Sequence, residues 1–290
     1  MKSDAAAHVP GTPRRGAFGS LATHAVLIGV SLVMVYPLLW MIASSLKPDS
    51  EIFNSASIFP AHPNLSAYAR GWYGLKVSFG KFFTNSAVIA VLAVIGNVMS
   101  CSLAAYAFAR LRFRGRNFWF AIMLGTLMLP YHVTLIPQYV LFLNLGWVDT
   151  FLPLVVPKFL AADAFFIFLM VQFFRGIPRE LDEAAIMDGC GPWRIYWKIM
   201  LPLAVPALAT AAVFSFIWTW DDFFAPLIYL NDMESYTFQV GLRTFVDSSG
   251  QSDWSGLFAM SVVGLVPIFV MFIFFQRLLI DGIATTGMKR

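Results

Sequence analysis

Three stretches of this chain carry no formal charge at neutral pH: Leu21–Leu46 (26 residues), Phe82–Ala109 (28) and Asn117–Val148 (32). About 20 residues of helix cross the hydrocarbon core of a bilayer. In hydrocarbon there is no water to bond the backbone, so N–H and C=O groups must be satisfied within helices or a closed barrel. Barrel strands read as alternating segments of roughly ten residues. Runs this long exclude them and give an all-α integral membrane protein. Composition agrees: 59% of residues are hydrophobic and 12% charged, where a soluble domain has about a quarter charged.

Three more apolar stretches complete a set of six transmembrane helices: Leu152–Phe174, which contains Lys158 and Asp163, then Leu201–Trp220 and Trp254–Gln276. Asn117–Val148 exceeds one crossing, and Pro130 and Pro137 are expected to kink or break it. Residues 1–20 read as a disordered polar tail, and residues 21–290 as a single membrane domain. Arg14-Arg15 before an apolar run suggests a twin-arginine signal. Leu21–Leu46 is too long for a signal core and no cleavage site follows it, so the pair reads as a topology anchor.

The basic residues fix an orientation. Fourteen Lys and Arg lie in the N-tail, Arg110–Arg116, Arg175–Lys198 and the C-tail, against five in the loops of the other side. The positive-inside rule places both termini and the Arg175–Lys198 loop in the cytoplasm. The loop Asp221–Asp253, with six acids and one base, lies outside. The net charge of +4 therefore belongs to topology and implies no nucleic-acid partner. Cys101 sits in a span and Cys190 in a polar loop, so no disulfide framework exists.

Catalytic and energy-coupling patterns are missing. The four histidines are scattered without zinc-ligand spacing. Gly74–Lys81 fails as a phosphate-binding loop, having five residues between its glycines and Phe82 in place of Ser or Thr. Uphill transport would need an ion gradient acting through intramembrane acids, or a separate ATPase.

Residues 179–202 form the most ordered-looking polar interval. Glu180, Asp182 and Glu183 follow Pro178, as suits the positive end of a helix dipole. Gly189-Cys190-Gly191-Pro192 breaks that helix. Trp193–Met200 restarts one with Trp193, Trp197 and Met200 on one side, and Pro202 opens the next apolar run. A helix-turn-helix of this kind between spans four and five is either a docking element or a pair of helices lying in the headgroup layer.

The spacing Glu183-Ala184-Ala185, three residues, Gly189, nine residues, Ile199-Met200-Leu201-Pro202 resembles the EAA loop of bacterial ABC importer permeases. Asn85-Ser86, the run Tyr106–Arg116 (YAFARLRFRGR), Asn144-Leu145-Gly146 and Gly282–Lys289 extend the resemblance over nearly the whole chain, toward the second, six-span permease of maltose-type sugar importers. Trp220-Asp221-Asp222 stands where that family usually has Trp-Asn, and Met288 where it has a small residue. The resemblance implies a multi-pass protein of the bacterial inner membrane that is not itself an enzyme and holds no cofactor. ATP would be bound by a dimeric ATP-binding subunit on the cytoplasmic side. A second permease subunit, an extracytoplasmic solute-binding protein and membrane lipids would be its other partners.

On that resemblance Glu183, Ala184, Ala185, Asp188, Gly189, Leu201 and Pro202 couple the chain to the ATPase. Taken alone, Glu183 equally reads as a first-turn dipole acid. Asp163, about 16 Å along a continuous helix from Leu152, is a deep carboxylate that faces protein or water. It serves either a sugar's hydroxyls or a structural contact, while Lys158 snorkels outward. Trp218, Trp220, Asp221 and Asp222 complete the candidate substrate path, the tryptophans competing with an interfacial-belt role and the acids with plain solvation. The residues by themselves also leave open a stand-alone ion-coupled carrier.

Overall fold

The computed structural model describes residues 17–54, 57–60, 63–246 and 252–287, with the backbone alone at 17–20 and 279–287. Arg14-Arg15, the remainder of the tail to residue 16, and Met288–Lys289 lie outside the described residues. No strand occurs among those described. The helices that organise the chain are α1 (Ala17–Ser44), α2 (Ser66–Tyr73), α3 (Phe79–Arg110), α4 (Arg116–Thr126), α5 (Tyr131–Asn144), α6 (Ala164–Gly176), α7 (Glu180–Met187), α8 (Val205–Trp220) and α9 (Trp254–Gly287).

Leu21–Ser44, α3, Leu152–Gly176 and Trp254–Leu278 are each long and apolar enough to cross a membrane. Two further candidates are bent: α4 meets α5 at 100°, and Pro192–Leu203 meets α8 at 77°. Among the described residues there are thus four to six candidate spans. The first helix begins at Ala17, four residues before the charge-free run. Of the two prolines expected to kink or break the third run, Pro130 breaks it. It takes an extended conformation (ψ 130°) ahead of α5, whereas Pro137 stays inside α5. One missing N–H is tolerated when helix continues on both sides.

The stretch Leu152–Gly176 is not one continuous helix. A single turn at Leu152–Val155 leads into a tighter turn at Val156–Leu160. Ala161 then adopts the left-handed conformation (φ 53°), and α6 starts after Asp163. The depth of Asp163 counted along an unbroken helix therefore does not hold; the break sets its position.

Helix α3 is the centre of the packing. It contacts α6, α8 and the Val156–Leu160 turn, while α9 packs on α8, α2 and α1. Its buried positions include Ala90, Ala93, Gly96, Asn97, Cys101 and Ala105, small residues that admit close helix neighbours. At Gly96 a Cβ would lie 2.7 Å from the Phe159 ring, so a side chain there would push the Val156–Leu160 turn away.

Polar side chains along α3 hold one neighbouring segment after another. Asn85 Nδ2 donates to the carbonyls of Glu234 (2.8 Å) and Tyr236 (3.0 Å), and Ser86 Oγ accepts from Phe238 N (2.8 Å). Asn97 Nδ2 donates to Ser215 Oγ of α8 at 2.9 Å. Ser100 Oγ donates to the Lys158 carbonyl at 2.7 Å. Ser102 and Tyr196 share a hydroxyl contact of 2.7 Å, and Tyr106 Oη donates to the Pro192 carbonyl at 3.1 Å. Arg110 ends the series. Nη1 donates to Asp182 Oδ2 at 3.0 Å, and Nη2 to the carbonyls of Phe174 (2.5 Å) and Ile177 (2.6 Å).

The loop after α8 folds back rather than trailing outward. Phe238, Val240 and Phe245 are buried with Phe79, Phe82 and Trp220. Asp149 pins its near end, with Oδ1 accepting from the backbone N–H groups of Asn231 (2.9 Å) and Asp232 (3.0 Å). Those two donors, Asp232 first, hold the Asp149 carboxyl below the usual carboxylate range.

Two predictions follow from α3. Gly96→Val should destabilise the protein by about 1–3 kcal/mol through overpacking against Phe159, read as a lowered Tm in detergent. A Tm equal to wild type would show that the turn yields freely. Arg110→Ala should cost about 3 kcal/mol, because it leaves Asp182 half-buried and unpaired, while Arg110→Met with Asp182→Leu should recover most of that loss. A double variant no better than the single one would mean that the carbonyl bonds of Arg110, not its ion pair, hold the loop.

Candidate functional site

Residues 179–202 fold as a helix, a turn and a second helix. In α7, Glu180, Asp182 and Glu183 occupy the first turn. Asp188 is the C-cap and Gly189 follows at φ 74°. Gly189 N–H bonds the Ile186 carbonyl and Cys190 N–H the Ala185 carbonyl, both at 2.9 Å. This pair of bonds is a Schellman motif, and its left-handed position suits glycine. Pro192 then sits in the first turn of the second helix, where its lack of an N–H costs nothing.

The face this loop presents differs from the sequence expectation in two ways. Ala184 is exposed beside Glu183, but Ala185 is buried against the chain's own core and is closed to a partner surface. Trp193 and Trp197 are exposed (66% and 55%), whereas Met200 is fully buried with Tyr196. The cause is a π-type stretch at Tyr196–Met200, where Leu201 N–H bonds the Tyr196 carbonyl. The wider turn rotates Met200 off the tryptophan face. Leu201 packs partly against the same core, and Pro202 is exposed. The outward surface therefore includes Glu183, Ala184, Asp188, Met187 (87% exposed), Trp193 and Trp197.

What holds this surface is the end of α3. The Arg110 side chain is 4% exposed and that of Asp182 17%. Burial pushes the Asp182 carboxyl above the usual carboxylate range, against the opposing pull of Arg110. Tyr106 adds its hydroxyl bond to Pro192 and a ring contact with Tyr196 at 5.3 Å. In the sequence Tyr106 and Arg110 are marks of resemblance only. Here they are the residues that orient the loop.

A second site lies between α3, the Leu152–Leu160 turns and α8. A cavity of ≈ 340 Å³ is lined by Lys158, Asp163, Trp218 and Asp222, together with Tyr131 and Thr237. Lys158 Nζ lies 2.9 Å from Asp163 Oδ2, so the lysine turns to this carboxylate instead of snorkelling. Asp222 Oδ1 accepts from Ala225 N at 3.2 Å. Thr237 Oγ1 is buried without a partner, an unusual cost unless something else bonds it. Formal charge in the cavity is one cation against two carboxylates. Among the described residues no group of three His, Cys, Asp or Glu is placed to hold a metal.

The structure thus brings three of the five candidate path residues together and sets two apart. Trp220 is 1% exposed, stacks on Phe216 and Phe238, and donates Nε1–H to the Gly264 carbonyl at 3.1 Å. It is a core residue, neither path nor belt, because the folded-back loop and a side-chain-free position on α9 enclose it. Asp221 is exposed and accepts from Gln239 Nε2 at 3.2 Å, outside the cavity lining. Sequence reasoning sent Lys158 outward and passed over Tyr131 and Thr237, all three of which line the cavity.

Known proteins resemble this chain over most of its length. It is 33% identical over 256 residues to the diacetylchitobiose uptake system permease protein NgcG of Streptomyces coelicolor, covering 88% of this chain and 84% of that one. The arabinooligosaccharides transport system permease protein AraQ of Halalkalibacterium halodurans is 33% identical, with 90% and 93% covered. The sn-glycerol-3-phosphate transport system permease protein UgpE of Brucella abortus is 31% identical, with 92% and 96% covered. A solved bacterial ABC transporter involved in the import of the acidic polysaccharide alginate has a chain that superposes with a TM-score of 0.79 at 26% identity, covering 92% of this chain and 99% of that one. Residues 96–284 match the family described as binding-protein-dependent transport system inner membrane component. With its apolar spanning helices and its α7 loop, the chain belongs to that family: it is an inner-membrane permease component of an ABC importer.

Proposed function

We propose that this chain is one of two permease subunits of a carbohydrate importer. In this reading six spans carry both termini on the cytoplasmic side, residues 21–290 act as one permease domain, and the α7 loop docks a dimeric ATP-binding subunit. ATP hydrolysis belongs to that separate component, which removes the need for an ion gradient acting through this chain alone. An extracytoplasmic binding protein delivers the solute to the opposite end.

The observation that carries the reading is the outward face of the α7 loop. Glu183 offers a carboxylate to a cationic or N–H partner. Ala184 admits close approach, and exposed Met187, Trp193 and Trp197 give the apolar area that a docked surface buries. The Arg110–Asp182 pair and the Tyr106–Pro192 bond tie that face to α3, so force applied to it reaches the membrane part of the chain.

The cavity around Asp163, Trp218 and Asp222 is the section of the path we assign to this subunit. Relatives are named for a disaccharide, for oligosaccharides and for a phosphate ester. One lysine already paired with Asp163, plus the second carboxylate of Asp222, gives a surplus of negative charge. That surplus opposes a phosphate. Hydroxyl groups suit the carboxylates and the unpartnered Thr237 Oγ1, and the Trp218 ring offers a face to a sugar.

Reconstituted with its partner subunits, a Glu183→Lys variant should keep an assembled membrane component and lose at least tenfold in binding-protein-stimulated ATP hydrolysis and uptake. Wild-type stimulation and uptake in that variant would sink the coupling role. For the cavity, Asp222→Asn should lower transport of a neutral sugar about tenfold at saturating binding protein, the loss of one charged hydrogen bond. Asp221→Asn should stay within about twofold, as a surface change does. Equal effects of the two substitutions would remove the cavity from the path.

A further inference from the structure

We propose that an arginine-lined cavity where α3 meets α4 is a binding site for the phosphate headgroup of an anionic membrane lipid. The cavity measures ≈ 560 Å³ and is lined by Arg110, Arg112, Arg116 and Arg179, with Asn117 and Phe118. It adjoins the α7 loop, sharing Arg179 at that helix's N-cap and the anchoring Arg110, and none of its lining residues lines the cavity of Asp163 and Asp222.

The guanidinium groups differ in what they already bond. Arg110 is committed to Asp182 and two carbonyls. Arg116 makes one long bond, Nη1 to the Leu111 carbonyl at 3.4 Å. The Arg112 and Arg179 side chains have no hydrogen bond or ion pair among the described residues, though Arg179 lies near enough to Asp182 to act on its carboxyl. No acid lines the cavity, and Asp182, on the helix that Arg179 caps, is bonded to Arg110. Arg112, Arg116 and Arg179 thus share one concavity with no carboxylate bonded to any of them. Their mutual repulsion is relieved by an anion, and the fork geometry of arginine matches phosphate oxygens. Arginines that served only to set topology would need no shared cavity.

The surroundings indicate an amphiphile. Helix α4 has no fully buried residue, although Phe120 and Met123 pack partly against the core. Phe118 (64% exposed), Trp119 (55%) and Ile122 (45%) present an apolar surface that begins at the cavity rim. A phosphate held by the arginines would lay its acyl chains along this face. Free phosphate or a nucleotide has nothing to place there. Basic pockets between spanning helices, on the side rich in Lys and Arg, take acidic headgroups by this combination.

Native mass spectrometry of the full-length chain in its importer complex tests the site. Phosphatidylglycerol should bind at least tenfold more tightly than phosphatidylcholine. Arg112→Gln with Arg179→Gln should abolish that preference, Arg112→Lys with Arg179→Lys should keep part of it, and Arg114→Gln, an arginine outside the cavity, should keep all of it. Equal binding of the two lipids by the wild-type complex, or an equal loss in Arg114→Gln, would overturn the proposal as diffuse charge. Displacement of phosphatidylglycerol by an equal concentration of inorganic phosphate would assign the site to a free anion and overturn the lipid. Binding by the isolated full-length chain but not by the complex would make the arginines a seat for an acidic segment of a partner subunit, and the lipid assignment would fall.

Discussion

Everything in this chain hangs on how α3 satisfies polar side chains inside an apolar helix. A polar group without a partner in a water-poor interior costs free energy, so each one specifies a neighbour. Asn85 and Ser86 specify the returning loop, Asn97 specifies α8, and Ser100 specifies the Lys158 turn. Ser102, Tyr106 and Arg110 specify the α7 loop. Small residues between these stations let the partners come close. The outcome is one stiff element to which the chain's mobile-looking parts are bonded.

That arrangement has a mechanical meaning. From Ser86 to Arg110 is about 36 Å of helix at 1.5 Å per residue. One end borders the cavity with Asp163 and Asp222, and the other holds the α7 loop. An α-helix resists stretching, so in the proposed docking any displacement of α7 has to move α3 or break the Arg110 bonds. The Lys158–Leu160 turn rides on α3 through Ser100 and the bare Gly96 surface. Moving α3 therefore moves the Lys158–Asp163 pair. Spatial continuity alone is not coupling; here it comes with hydrogen bonds at both ends of a rigid rod.

The sequence revealed what depends on local chemistry. Long charge-free runs gave helices, and the Gly189-Cys190-Gly191-Pro192 stretch gave the turn with its left-handed glycine. Non-local contacts were hidden. Trp220 reads as an interfacial ring until a loop some twenty residues later folds over it and a backbone carbonyl on α9 accepts its N–H. Lys158 reads as a snorkelling cation until Ala161 breaks the helix and turns Asp163 toward it. Met200 was misplaced by assuming 3.6 residues per turn through a π-type stretch. Ala185 was assigned to a partner by its place in the Glu183-Ala184-Ala185 motif, yet its position on α7 turns it into the chain's own core.

The departure at Trp220-Asp221-Asp222 takes on meaning in this light. Of the three, Trp220 belongs to the core, Asp221 to the surface and only Asp222 to the cavity. The carboxylate that gives the cavity its surplus negative charge is thus the one farthest along the tripeptide, held by the Ala225 N–H. A neutral side chain there would leave Lys158 and Asp163 balanced and the cavity without net charge. With Asp222 present, the same geometry repels anions. A single position beside the Lys158–Asp163 pair therefore sets the charge of this cavity without touching the α3 rod or the α7 loop.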